Sequence, residues 1–169
     1  MTATLPVLNS IQQHLQEHLP DWHIELMPDQ ANDYHLSHPN GAVLISYAGS
    51  KFDNVRPTHL ITQSRRLHIV LTVMCRHLHD DFGAIALLDE LRLLMVGFCP
   101  PSCDGCFLLE EHFDGTDAGI WQYQLLLQTN TVQVERHHIE SKPTFQEAIA
   151  RHQGDKLDSR LTNKHLPKN

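Results

Sequence analysis

Of the residues able to do chemistry, three cysteines stand closest together, in Cys99-Pro-Pro-Ser-Cys103-Asp-Gly-Cys106. The spacing C-x3-C-x2-C is that of the three cluster ligands in radical S-adenosylmethionine enzymes. Those enzymes build most of a barrel after the motif, and only 63 residues follow Cys106 here. A zinc site is the other chemistry this spacing offers. Three thiolates and a histidine such as His112 would complete a four-coordinate shell. Zinc sites usually pair two C-x2-C arms from separate segments, and no second arm exists in this chain. The segment reads more simply as a Pro/Gly turn that carries cysteines. No cofactor and no essential metal is expected, and Cys99, Cys103 and Cys106 are the ligands a metal would use.

Nucleophilic and acid–base chemistry find less. There is no Gly-x-Ser-x-Gly. Ala48-Gly49-Ser50-Lys51 follows a strand pattern but lacks the glycines of a phosphate cradle. Cys75 lies near His77 and His79, yet it falls on the apolar face of its strand, where a thiol is a core residue. The two histidines flank Leu78 in a charged turn and read as solvated, as do His137 and His138. Glu110 and Glu111 alternate across a strand, so their carboxylates point to opposite sides and form no acid–base pair. No enzyme is expected.

Composition narrows the partners. The chain of 169 residues is 41% apolar, enough for a core and against global disorder. Its net charge of −7 hides an asymmetry: residues 151–169 carry five Lys/Arg and two Asp/Glu, a net of +3, which leaves −10 on the rest. An acidic body argues against specific nucleic-acid binding. The 14 histidines are scattered, and unperturbed ones protonate below about pH 6.5, making the body less negative. No apolar run spans a bilayer, since Ile85–Phe98 contains Asp89, Glu90 and Arg92. The start, MTATLPVLNS, lacks the basic and apolar regions of a signal peptide. The chain is expected to be made in a cytoplasm, with its cysteines reduced.

The elements that must position these residues are organised around Ser64–Phe98. Leu67, Ile69, Leu71, Val73 and Cys75 alternate with Arg66, His68, Val70, Thr72 and Met74. That period of two marks a strand with one buried face, and the other face is apolar enough to be partly covered. After the turn His77–Asp81 the period becomes helical: Ala84, Leu87, Leu88, Leu91, Leu94, Met95 and Phe98 share a stripe. Asp80 or Asp81 is the expected cap, and Gly97 the stop.

Around this unit the spacing predicts a helix over Thr4–Leu19, with Thr4 as cap and Pro6 in the first turn. Trp22–Met27 and Gly41–Tyr47 are strand candidates. Ala48–Thr62 reads as a long exposed loop, of the kind that is functional when it occurs in a compact domain. Cys106–Phe113 and Ile120–Thr131 read as strands joined across Asp-Gly-Thr-Asp-Ala-Gly. Trp121, Tyr123, Leu125, Leu127 and Thr129 share one face of the second. Past Glu135, Lys142-Pro143 breaks the chain, a short helix is expected over Phe145–His152, and a basic arm follows.

The order of these pieces resembles the tail-terminator (tail completion) family of Mu-like phages, prophages and phage-tail-like particles. The resemblance covers about Leu5–Val134 and is carried by Val43–Phe52, Arg65–Val73, Leu88–Phe98 and Trp121–Thr129. It implies an α/β (α+β) protomer: an antiparallel or mixed sheet of about four to five strands, helices packed on one face. The domain is expected over residues 1–135, with a C-terminal short helix and basic arm at 136–169. The resemblance further implies a structural virion protein. It would form a homo-oligomeric ring, a hexamer, that caps the tail tube, stops its elongation, meets the sheath of a contractile tail and presents a face to the head–tail connector. Another connector or a tube subunit is the alternative within the same particle, and a small zinc-binding module on the cysteine turn is the alternative outside it. For the subunit or tube interface, the cations of an otherwise acidic body are the expected residues: Lys51, Arg56, Arg65, Arg66, Arg76 and the adjoining His77.

Overall fold

The strongest alternation in the sequence becomes the central strand. β3 (Thr62–Cys75) buries Leu67, Ile69, Leu71, Val73 and Cys75 on one face. It is flanked by β2 (Gly41–Phe52) and β5 (Ile120–Val134), both antiparallel to it. β1 (His23–Leu26) pairs parallel to β2, and β4 (Phe107–Asp117) pairs antiparallel to β5. The result is a five-stranded mixed sheet in the order β1-β2-β3-β5-β4. The computed structural model describes residues 3–30, 34–55 and 61–136. They belong almost wholly to the first of two units into which the chain divides, Met1–Glu135; the second is Arg136–Asn169. The expected helix at Phe145–His152 and the basic arm lie outside the described residues.

Two amphipathic helices cover one face of the sheet. α1 (Thr4–His18) buries Val7, Leu8, Ile11 and Leu15, and α2 (Ala84–Met95) buries Ala84, Leu87, Leu88, Leu91 and Met95. Their stripes meet Val43, Ile45, Ile69, Leu71, Val73, Leu125 and Leu127 in one core. This is the expected α+β protomer with helices on one side. Twelve of these core side chains are Val, Leu or Ile with no more than 1% of their surface exposed, and burying each is worth about 1.5–3 kcal/mol, so this layer of contact is what fastens the helices to the sheet. Among the described residues, the helix-free face is covered near β1. There Leu36 is buried and its carbonyl accepts from the Arg76 guanidinium at 2.9 Å, while Leu44 and Thr72 beneath are also buried.

Four boundaries differ from the sequence reading. β2 does not end at Tyr47: a bulge between Tyr47 and Gly49 lets it continue to Phe52, paired with Arg65. The expected loop Ala48–Thr62 therefore loses Ala48–Phe52 to β2 and Thr62 to β3, and its residues 56–60 lie outside the described residues. β4 likewise runs through Asp114-Gly115-Thr116-Asp117, using bulges after Leu108 and Phe113. The hairpin tip is only Ala118-Gly119, both left-handed at φ 48° and 79°, as a two-residue type I′ turn requires. Neither Asp80 nor Asp81 caps α2. Gly83 holds the cap position, and a Cβ there would lie 2.5 Å from the Leu78 carbonyl oxygen, so the turn closes too tightly for another residue. Thr4 does not cap α1 either. It is the first helical residue, Ala3 precedes it as cap, and its hydroxyl is engaged elsewhere.

Candidate functional site

The cysteine turn is a clip on the margin of the sheet. β4 stops opposite Gln128, and the turn takes over beyond it along β5. Asp104 N–H donates to the Asn130 carbonyl at 2.8 Å, the Thr129 hydroxyl to the Asp104 carbonyl at 2.7 Å, and the Thr131 hydroxyl to the Ser102 carbonyl at 2.7 Å. Gly97 and Phe98 close the other side against Cys106. Cys106 is buried in the core, Cys103 is half-buried and Cys99 is exposed. Burial pushes the Cys106 thiol up to about 12 and raises Cys103 as well. His112 registers with Gln124, on the face opposite the Leu125 and Leu127 core, so it does not join the cysteines. Among the described residues no group of three or more His, Cys, Asp or Glu is placed to hold a metal ion.

The other chemical candidates stay apart in the same way. Cys75 is fully buried, and desolvation, with a smaller push from Asp80, raises its thiol to about 12. His77 lies 3.3 Å from Asp80 in an exposed pair. Glu111 faces α2, where Arg92 reaches it at 2.6 Å, while Glu110 registers on the other face near His112. Tyr34 is raised to about 12, chiefly by burial and then by Glu25.

The cations expected at an interface separate into three groups. Lys51 and Arg66 are direct cross-strand partners on the helix-free face. Arg66 pairs with Asp53 at 2.5 Å; among the described residues its buried Nε has no hydrogen-bond partner, and the exposed Lys51 has no ion pair. Arg65 points to the opposite face and is only 8% exposed. Its guanidinium donates to Thr4, Ser50 and Tyr47 of its own chain and lies 5.9 Å from the Tyr47 and Phe52 rings, so it does not offer a cation to solvent. Arg76 and His77 sit beyond the other end of β3, about 33 Å from Arg66 at some 3.3 Å per residue. Arg56 lies outside the described residues.

What the residue types alone did not reveal is how the helix-free face is shaped. Near Arg66 it carries an open, polar hollow of about 650 Å³, lined by Asp53, Ser64, Asp104, Gln128 and Asn130 among others. Near the hairpin tip lies a second groove of about 450 Å³, lined by Met27, Leu36, Leu44, Met74, Asp114 and Asp117 among others. β4 itself is an exposed edge strand whose four charged residues, Glu110, Glu111, Asp114 and Asp117, are all acidic. That run of like charge was readable in the sequence; its position at an edge was not.

Among the described residues no helix is long and apolar enough to cross a membrane. Comparison with curated proteins gives no match. A family model, the Gp37 protein family, matches residues 11–149, which takes in the second half of α1, all of α2, all five strands and the start of the second unit. The match covers most of the chain, so this protein belongs to the phage-related Gp37 family and is a phage protein.

Proposed function

We propose that this phage protein is a tail terminator: a structural component of the virion that assembles into a ring, a hexamer, on the last ring of the tail tube. The ring stops tube growth and provides the surface on which the head–tail connector docks, with the sheath as a further neighbour in a contractile tail. It works without a cofactor, a metal or a catalytic site.

The observation that supports this best is that the protomer leaves its sheet open. Among the described residues, helices cover one face only, the other face carries two grooves, and strand edges on both sides of the sheet are unpaired. Open edges and broad grooves are surfaces for other proteins, whereas an enzyme gathers its perturbed titratable groups in one cleft. Here the thiols raised to about 12 are core residues scattered over Cys75 and Cys106. Family membership adds the phage context.

The test is genetic and structural. Disrupting this gene in the producing phage or prophage should give tails of uncontrolled length lacking heads, seen by electron microscopy. The purified chain should form a sixfold species by native mass spectrometry. Headless tails of normal length, or normal virions, would overturn the assignment.

A further inference from the structure

We propose that copies of this chain join edge to edge: the free distal half of β2 on one copy pairs with β4 of the next, and Lys51 meets Glu110 across that seam. The inference rests on the ring reading above and specifies the contact that builds it.

β1 covers only the first part of β2. Its last pair is Leu26 with Ile45, and Met27 N–H then closes on the Ile45 carbonyl at 2.8 Å. From Ser46 to Phe52 no strand flanks β2 on that side among the described residues. On the far side of the sheet β4 is bounded by β5 alone. An unpaired strand is a row of unmet amide and carbonyl groups and a template for another strand. Both edges also expose large apolar side chains: Tyr47 and Phe52 on β2, and Phe107, Leu109 and Phe113 on β4.

Charge decides which edge meets which. The β2 edge carries Lys51 and no acid between Ser46 and Phe52, and Lys51 faces Arg66 across the strand pair. Like charges directly opposite are unfavourable. Asp53 neutralises Arg66, which leaves Lys51 uncompensated. The β4 edge carries four acids and no Lys or Arg. Of these, Glu111 is met by Arg92 from α2, while among the described residues Glu110 has only His112, at 4.0 Å, and Asp117 has no ion-pair partner. The two bulges leave Glu110–Phe113 as the regular stretch of β4, and Glu110 and Lys51 both stand on the helix-free face of their strands. Two edges joining across one face would then bring these side chains together. Pairing β2 with β2, or β4 with β4, would instead set like charges against each other. A contact between two different edges on opposite sides of one protomer is heterologous, the kind that propagates around a ring.

The experiment uses the full chain and compares wild type, Lys51→Glu, Glu110→Lys and the double exchange K51E/E110K. Ring content is read by native mass spectrometry and multi-angle light scattering at low salt, and folding by thermal melting. Each single reversal should lower the ring population about tenfold at fixed concentration, and the double exchange should restore it to within about twofold of wild type. Both residues are exposed, so all four proteins should melt alike. Rings that persist in both single variants overturn the proposed seam and leave the terminator reading standing. Loss in both without recovery in the exchange overturns the Lys51–Glu110 pairing. A wild-type chain that stays monomeric and does not cap tails removes the terminator reading itself.

Discussion

Arg65 and Thr4 are 61 positions apart, yet the Arg65 guanidinium donates to the Thr4 hydroxyl at 2.7 Å. The same side chain holds Ser50 at 2.9 Å and Tyr47 at 3.2 Å. It therefore ties the start of α1 to the bulged half of β2 through β3. Arg65→Ala should lower stability by about 2 kcal/mol, since hydrogen bonds to a charged group are worth about 1.5–3 kcal/mol. Arg65→Lys keeps the charge and loses the fork, so it should fall between. Urea melts of the three proteins check the order. An alanine variant as stable as wild type would show that the network holds nothing.

Position on α2 separates core from surface within three residues. Leu91 is fully buried, and Leu93 is 75% exposed. Leu91→Ala should cost about 2–5 kcal/mol by leaving a cavity, and Leu91→Asp should prevent folding. Leu93→Asp should change stability by less than about 0.5 kcal/mol. Circular dichroism and solubility of the three variants would reverse this picture if Leu93→Asp were the damaging one.

The buried thiols make the fold sensitive to alkali. Cys75 and Cys106 rise from the ordinary 9.0 to about 12, in both cases mainly through desolvation. The unfolded chain releases these protons first, so their stabilising contribution is complete below about pH 9 and is lost as pH rises toward 12. Tyr34, raised to about 12, acts in the same direction, and Tyr47, lowered chiefly by its hydrogen bond with Ser50, acts in the opposite one. Melting temperature should be flat from pH 7 to 9 and fall beyond it, less steeply in the double variant C75A/C106A. An identical alkaline slope in that variant would assign the loss to other groups.

Thiol labelling of the native protein gives a second reading of the same turn. Cys99 is exposed and should react first with a maleimide, Cys103 more slowly, and Cys75 and Cys106 only on unfolding. Cys106→Ser should lower stability by about 1–3 kcal/mol because it buries a hydroxyl in the core, while Cys99→Ser should be silent. Mass spectrometry of labelled peptides and parallel melts test both. Equal labelling of all four cysteines in the native state would show the turn to be open.

Arg92 links α2 to the edge strand through Glu111 and pairs along its own helix with Asp89. These groups are partly solvated, so Arg92→Ala should cost less than about 1 kcal/mol, and the difference from wild type should shrink in 1 M salt. Denaturant melts at low and high salt measure it. A salt-independent loss would mean that Arg92 acts through packing of its stem.

Much of this molecule is written locally in its sequence. The alternation of Leu67 to Cys75 and of Trp121 to Thr129, the stripes of α1 and α2, and the stop at Gly97 all follow from periods of two or 3.6 that a strand or helix imposes on its own neighbours. The opposite facing of Glu110 and Glu111 follows for the same reason. Tertiary structure decided what depends on a partner far along the chain. β2 continues past a glycine to Phe52 because β3 is there to pair with it, and β4 runs through Asp-Gly-Thr-Asp because β5 holds it across two bulges. Arg65 and Arg66, adjacent and alike in sequence, part company because successive side chains of a strand face opposite sides: one is sealed against α1, the other opens onto a groove beside Lys51. The open edges are decided at the same level. Whether a strand's outer hydrogen bonds are met depends on where a neighbour ends, and β1 ends at Leu26, halfway along β2.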